Sequence, residues 1–264
     1  MQLRKRLFFA LFLILTVNSI GFGQGLSWKE IKGDHFIVYY MGQDGFASNV
    51  LRKAEEYYSN IGDDLGYQRH SNFWQWENRV KIYIYPTREA FLKESGQQSW
   101  SHGYANYDQK EIGSYVWEEG FVESLLPHEI THLIFRDYVG FQGEIPVWLD
   151  EGVAQWQEPD KRAIVRQVMK QYLLTEKVYS FHDLMTIDIR NVTFAPSVQL
   201  FYVEAASIID FFVSKYGTDQ FTFFCRQLRD GKAIDEALRF AYPTEIRDIN
   251  QMEEKWKEYI LSAP

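Results

Sequence analysis

The hydrophobic pattern changes character part-way along the chain. Before Gly120, short runs rich in β-branched and aromatic residues predict strands. The runs that read as strands are residues 34–41, 80–85, 103–107 and 112–117, the last two forming a hairpin. After Gly120 almost every segment has apolar residues three and four apart, which is the spacing of helices. The pattern therefore predicts an α+β fold, in which a small mixed β-sheet precedes a mostly helical C-terminal half.

Glycine and proline divide the helical half. Gly140 and Pro146 bracket one break, and Pro159 marks another. Further on, the apolar run 198–216 predicts a long helix that ends at Gly217.

The N-terminus has the three-part pattern of a secretory signal. Three basic residues, Arg4–Arg6, precede an apolar run over 7–17 and a stretch of small and polar residues over 18–25. The pattern predicts a signal peptide over residues 1–23 and an exported protein, periplasmic or extracellular. The apolar run is shorter than the roughly 20 residues of a membrane-spanning helix. The alternative is an uncleaved anchor that tethers the chain to a membrane.

Composition narrows the class of protein. Hydrophobic residues make up 46% and charged residues 24%, which is ordinary for a globular chain and excludes a disordered or fibrous one. The formal net charge is −8; without residues 1–23, which hold three basic and no acidic residues, it is −11. Such an acidic body repels phosphate backbones, so we expect no nucleic-acid partner. Cys225 is the single cysteine, so no intramolecular disulfide can form.

The chemistry is concentrated in the sequence His128-Glu129-Ile130-Thr131-His132, an H-E-x-x-H motif. Residues four apart lie on one face of a helix, so both imidazoles can reach one metal ion. Glu129 projects beside the metal, where its carboxylate can accept a proton from water. Taken alone, the motif also fits a helix with two incidental histidines.

A second motif supports the metal. Glu151 lies in Trp148–Ala154, with eighteen residues between it and His132. Pro146 suits the first turn of a helix, on which Glu151 shares an otherwise apolar face with Val147 and Ala154. A carboxylate on such a face needs a counter-charge, which a divalent zinc ion supplies. Asp150 points elsewhere; it is either solvated or holds a ligand histidine in place.

Together, H-E-x-x-H, eighteen residues and a glutamate within W-L-x-E-G resemble the gluzincin metallopeptidases, and most closely the peptidase MA-like families. The resemblance implies one zinc ion per chain, held by His128, His132 and Glu151, with Glu129 as the general base. It also implies a sheet packed on the H-E-x-x-H helix, with an edge strand that binds substrate backbone; we assign residues 112–116 to that strand. The G-x-M-E-N segment of the superfamily's aminopeptidases is missing from the sequence, which favours an endopeptidase.

Relatives also place a hydrogen-bond donor opposite the metal, and Tyr202 resembles that residue by local pattern. An equal alternative is a core tyrosine, because Val198, Tyr202, Ala205 and Ile209 form one apolar stripe at helical spacing. Glu204 is a weaker candidate for a partner of a ligand.

The sequence thus predicts an exported zinc metallopeptidase that acts on a peptide or protein substrate. It divides into a signal peptide over 1–23, a catalytic region over 24–175 and a helical C-terminal region over 176–264. Two alternatives remain: a non-catalytic binding protein with the gluzincin fold, and a membrane-tethered envelope factor. We expect membrane contact only where the N-terminal segment stays uncleaved.

Overall fold

The structure, a computed structural model, describes most of the chain. The described residues are 27–66, 74–99, 101–117, 120–141, 145–175, 177–187, 189 and 195–262. The signal peptide predicted over residues 1–23 lies outside them, so it stays a prediction.

A five-stranded mixed sheet forms the first part of the fold. Its strands are β1 (Lys29–Lys32), β2 (Phe36–Tyr40), β3 (Val80–Tyr85), β4 (Gly103–Asn106) and β5 (Glu111–Tyr115). Their order across the sheet is β1-β2-β3-β5-β4. The three central strands are parallel, and β1 and β4 run antiparallel to them at the two edges. The predicted small mixed sheet is therefore confirmed.

The edge strand beside the helices is β4, not β5. In the register, Ile112 of β5 lies between Ile82 of β3 and Ala105 of β4. The assignment of residues 112–116 to a substrate-binding edge strand is therefore wrong. The physical reason is that β5 returns from its hairpin into the parallel position next to β3, which leaves β4 outside it.

The rest of the chain is helical. The helices are α1 (Asp44–Asp64), α2 (Arg88–Ser95), α3 (Leu126–Val139), α4 (Val147–Trp156), α5 (Pro159–Leu174), α6 (Phe181–Thr186), α7 (Ala195–Tyr216), α8 (Thr218–Arg229), α9 (Ile234–Ala241) and α10 (Ile249–Leu261). A short 3-10 helix, Trp76–Asn78, precedes β3, and a π-helical segment, Phe121–Leu125, leads into α3. The predicted long helix is α7, which ends at Gly217 with a positive φ of 87°. The predicted helical half is confirmed.

The core lies between the sheet and the helices. Alternate strand residues such as Phe36, Val38 and Ile82 are fully buried, and they belong to one hydrophobic cluster with Ala54 of α1 and Ile130 of α3. Period-two alternation thus turns one face of the sheet onto the helix that carries the H-E-x-x-H motif.

Helix α7 runs through the middle of the helical half and packs against α4. A Cβ added at Gly152 of α4 would lie 2.9 Å from the backbone oxygen of Ala205, so the two helix backbones come unusually close there. Within the described residues, Ser197–Tyr216 is the one segment long and apolar enough to cross a membrane by length and composition. Of that window, 56% is buried inside the protein, as in the core helix of a globular fold.

Candidate metal centre

Helix α3 places the two histidines of the motif one turn apart. Pro127 occupies its first turn, where the missing N–H costs no hydrogen bond, and Gly140 ends it in the left-handed conformation. The Nε2 atoms of His128 and His132 are 3.1 Å apart, and both rings are largely buried. The imidazoles therefore face a common point, as the spacing predicts.

Helix α4 brings the third side chain to the same point. Oε2 of Glu151 lies 3.5 Å from Nε2 of His128. One ligand atom from each of His128, His132 and Glu151 lies within 4.8 Å of the others. Two imidazole nitrogens and one carboxylate oxygen are the donor set of a catalytic zinc site, which keeps a fourth position open. The three predicted residues are thus placed where they could hold a metal ion.

Carboxylates fix both rings from behind. Nδ1 of His132 donates to Oδ1 of Asp150 over 2.9 Å, and Nδ1 of His128 donates to Oε1 of Glu158 over 3.0 Å. These bonds place a proton on each Nδ1, so Nε2 is the ring nitrogen that faces the common point and can bind a metal ion in exchange for its own proton. Two Nε2 atoms 3.1 Å apart need a proton or a metal ion between them, so the site fits a metal. Of the two readings of Asp150, the structure supports the partner of a ligand histidine.

Glu158 is a site residue that the sequence reasoning missed. Its side chain is only 3% exposed, and besides His128 it contacts Ser124 and Lys161. It lies at the corner between α4 and α5, directly before Pro159. The break at Pro159 is visible in the sequence. Which way the chain turns there is a tertiary property, and that turn places Glu158 behind His128.

The surrounding acids make the site electronegative. Burial lowers the pKa of His128, but the hydrogen bonds that its ring donates to Glu151 and Glu158 outweigh burial and raise this pKa to about 10. Burial likewise lowers the pKa of His132, but the nearby carboxylate of Asp150 outweighs burial, so the pKa of His132 is raised. A metal ion that replaces the protons of the imidazoles meets the same negative charge of these carboxylates, which favours a cation at this point.

Glu129 lies beside this pair on α3. Burial raises the pKa of Glu129 above its usual range, partly offset by the two histidines. A carboxylate of raised basicity suits proton transfer near neutral pH.

Two tyrosines flank the acids. Burial, followed by the charges of Glu151 and Glu129, raises the pKa of Tyr202 above its usual range. Tyr202 is also packed partly against the core, as the competing interpretation requires, and its role as oxyanion donor stays a prediction. Tyr107, which the sequence reasoning did not single out, sets its ring edge-on to His132, with ring centroids 6.3 Å apart.

Glu204 belongs to another part of the molecule. Its buried carboxylate accepts a hydrogen bond from the backbone N–H of Tyr179 over 3.1 Å. His128 and His132 bond other carboxylates, so the structure gives no support to Glu204 as the partner of a metal ligand.

Comparison with known families decides the classification. The family model described as Peptidase MA superfamily matches residues 70–262, which include every residue of the site described above. The chain belongs to the peptidase MA superfamily. Membership of this superfamily agrees with the α+β fold and with the donor set on α3 and α4.

Comparisons with solved structures and with curated proteins do not extend this classification. A structure of a functionally unknown conserved protein from Bacillus anthracis matches with 14% identity and a TM-score of 0.45, over 90% of this chain and 52% of that one. The chain thus spans about half the length of that protein. Among curated proteins, no significant match is found.

Proposed function

We propose that this member of the peptidase MA superfamily is a zinc-dependent metallopeptidase that hydrolyses internal peptide bonds. The observation that carries the proposal is the convergence of His128, His132 and Glu151, with both histidines held from behind by carboxylates. A structural zinc site is closed by four protein ligands. Among the described residues, three candidate ligands lie beside the partly buried carboxylate of Glu129, which is instead the arrangement of a hydrolytic site.

When bound, zinc supplies Lewis acidity, which lowers the pKa of water and polarises a carbonyl group. Glu129, one residue after a ligand, accepts the proton from the attacking water. It then returns that proton to the leaving amine. Tyr202 donates its hydroxyl hydrogen to the developing oxyanion, a contribution of about 3 kcal/mol for donors of this kind.

Strand β4 supplies the place for an extended substrate. In the described part of the chain, β5 is its only neighbouring strand, so its outer edge can pair with a peptide. We further propose that the protein is exported, on the strength of the N-terminal pattern, and that its substrates are peptides or proteins outside the cytoplasm.

The decisive experiment replaces Glu129 by Gln, which keeps the shape and removes the base. We expect one zinc per chain in both proteins, and cleavage of a fluorogenic peptide library by the wild type alone. The matched control is Glu254→Gln on the exposed side of α10, which should cleave normally. Full activity in Glu129→Gln refutes the assigned base. Wild-type protein that binds zinc and cleaves nothing supports a binding protein instead.

A further inference from the structure

Tyr107 stands at the end of the strand that faces the substrate. It directly follows β4 and opens the turn to β5. The turn is fixed by two hydrogen bonds: the N–H of Gln109 donates to Oδ1 of Asn106, and the N–H of Lys110 donates to the carbonyl of Tyr107. The backbone at this position is therefore held in one conformation.

The ring of Tyr107 is clamped against α3. Its edge-on contact with His132 is accompanied by the guanidinium of Arg136, whose central carbon lies 4.6 Å from the ring centroid. His132 and Arg136 are one helical turn apart, so the ring spans the surface between them. A cation over a tyrosine ring stabilises this placement.

The same side chain borders a groove. An open groove of about 580 Å³ runs beside β4, and Tyr104, Asn106, Tyr107 and Arg136 are among its lining residues. Tyr107 thus lines the groove and contacts His132 at the same time. A peptide that pairs with β4 and extends to the histidine pair would lie beside Tyr107.

The hydroxyl of Tyr107 is available for a ligand. Within the described residues, the structure shows no hydrogen-bond partner for it, although the side chain is half-buried. A phenol in a partly desolvated position gains most from a partner when a substrate excludes the remaining water.

We propose that Tyr107 is a substrate-positioning residue, whose hydroxyl donates to a backbone carbonyl of the peptide bound along β4, next to the scissile bond. This inference rests on the proposed function and deepens it. The contact exists in the bound substrate as well as in the transition state. Its loss should therefore weaken binding more than it slows the chemical step.

The test is Tyr107→Phe, which keeps the ring contacts with His132 and Arg136 and removes only the oxygen. For a peptide that the wild type cleaves, we expect KM to rise about threefold to tenfold, the effect of one neutral hydrogen bond, with kcat within about twofold. The control is Tyr39→Phe, on a partly exposed tyrosine that stacks on Tyr83 on the sheet, away from α3. It should leave KM and kcat unchanged.

A binding measurement separates positioning from a structural role. The fluorescein-labelled form of the same peptide is titrated into zinc-loaded Glu129→Gln protein, with and without Tyr107→Phe, and anisotropy gives Kd. The double variant should bind about threefold to tenfold more weakly at equal zinc content and equal melting temperature. Lost zinc in Tyr107→Phe would show that the residue supports the metal centre instead, and a fall in kcat alone would assign it to the transition state. Either result overturns the inference.

The two proposals fail in different ways. If the wild type cleaves peptides and Glu129→Gln does not, but Tyr107→Phe matches the wild type in KM and Kd, only the role of Tyr107 is refuted. If the zinc-loaded wild type cleaves no peptide, the proposed function fails, and the inference fails with it.

Discussion

The contact between Glu158 and His128 leads to a quantitative prediction about metal affinity. Glu158→Gln keeps the side-chain shape and one acceptor oxygen, but it removes the negative charge behind the imidazole. In the structure this charge lies 3.0 Å from Nδ1 of His128 and is shared with the ammonium of Lys161 at 2.7 Å. With a side chain only 3% exposed, Glu158 is little screened by water.

The expected change in zinc affinity follows from what a carboxylate does when it bonds a metal-binding histidine. A charged partner raises the basicity of the ligand nitrogen and fixes its tautomer, and its loss costs about 10- to 100-fold in metal affinity. This range corresponds to about 1.4–2.7 kcal/mol of binding free energy. We expect the fold to survive, because Lys161 is half exposed and water can replace its partner.

Zinc affinity is measured by competition with a chromogenic chelator, with circular dichroism as the test of folding. The matched control is Glu253→Gln, another partly buried carboxylate that pairs with a lysine, Lys257, and bonds the backbone of Phe181. It should bind zinc as the wild type does. If Glu158→Gln binds zinc within about twofold of the wild type, the carboxylate does not tune His128 and the reasoning is refuted.

Two further predictions concern stability. Gly152→Ala places a methyl group 2.9 Å from the carbonyl oxygen of Ala205. Urea unfolding should therefore show that the free energy of unfolding falls by about 1–3 kcal/mol. An unchanged midpoint would show that α4 and α7 separate easily. Burial raises the pKa of Glu204 from 4.5 to about 8, so the folded state binds a proton more tightly than the unfolded chain. The contribution of Glu204 to the free energy of unfolding should therefore be largest below pH 4.5, fall by on the order of 5 kcal/mol as the pH rises to 8, and level off above it. Glu204→Gln should flatten this profile between pH 5 and 8, and a slope equal to that of the wild type would contradict the assignment.

The candidate ligand set could be predicted because local geometry determines most of it. His128 and His132 share a face by helical spacing alone, and that spacing survives in any tertiary context. Glu151 is predicted from the charge that it places on an apolar helix face, together with the resemblance to gluzincins. Asp150 follows from its place next to Glu151, although the sequence could not choose between its two readings.

The remaining site residues depend on contacts that no local pattern contains. Glu158 reaches His128 through the corner at Pro159, and Tyr107 reaches His132 because the hairpin places β4 at the sheet edge. The prediction that residues 112–116 form the edge strand is wrong because the order of the strands is also missing from the local pattern. Strand propensity identifies a strand, but the order of strands across a sheet is decided by packing.

The π-helical turn before α3 affects the direction in which the histidine side chains of α3 project. The N–H of Leu126 bonds the carbonyl of Phe121, five residues back, so this turn holds one residue more than an α-helical turn. Each residue of an α-helix advances the direction of its side chain by about 100°. If the extra residue of the π-helical turn were deleted while Phe121 kept its contact with Phe46 of α1, the side chain of His128 would rotate away from Glu151 by about 100°. The π-helical turn thus rotates the side chains of α3 about the helix axis relative to Phe121. It sets the direction of the imidazoles without changing the contact that holds this end of the helix against α1.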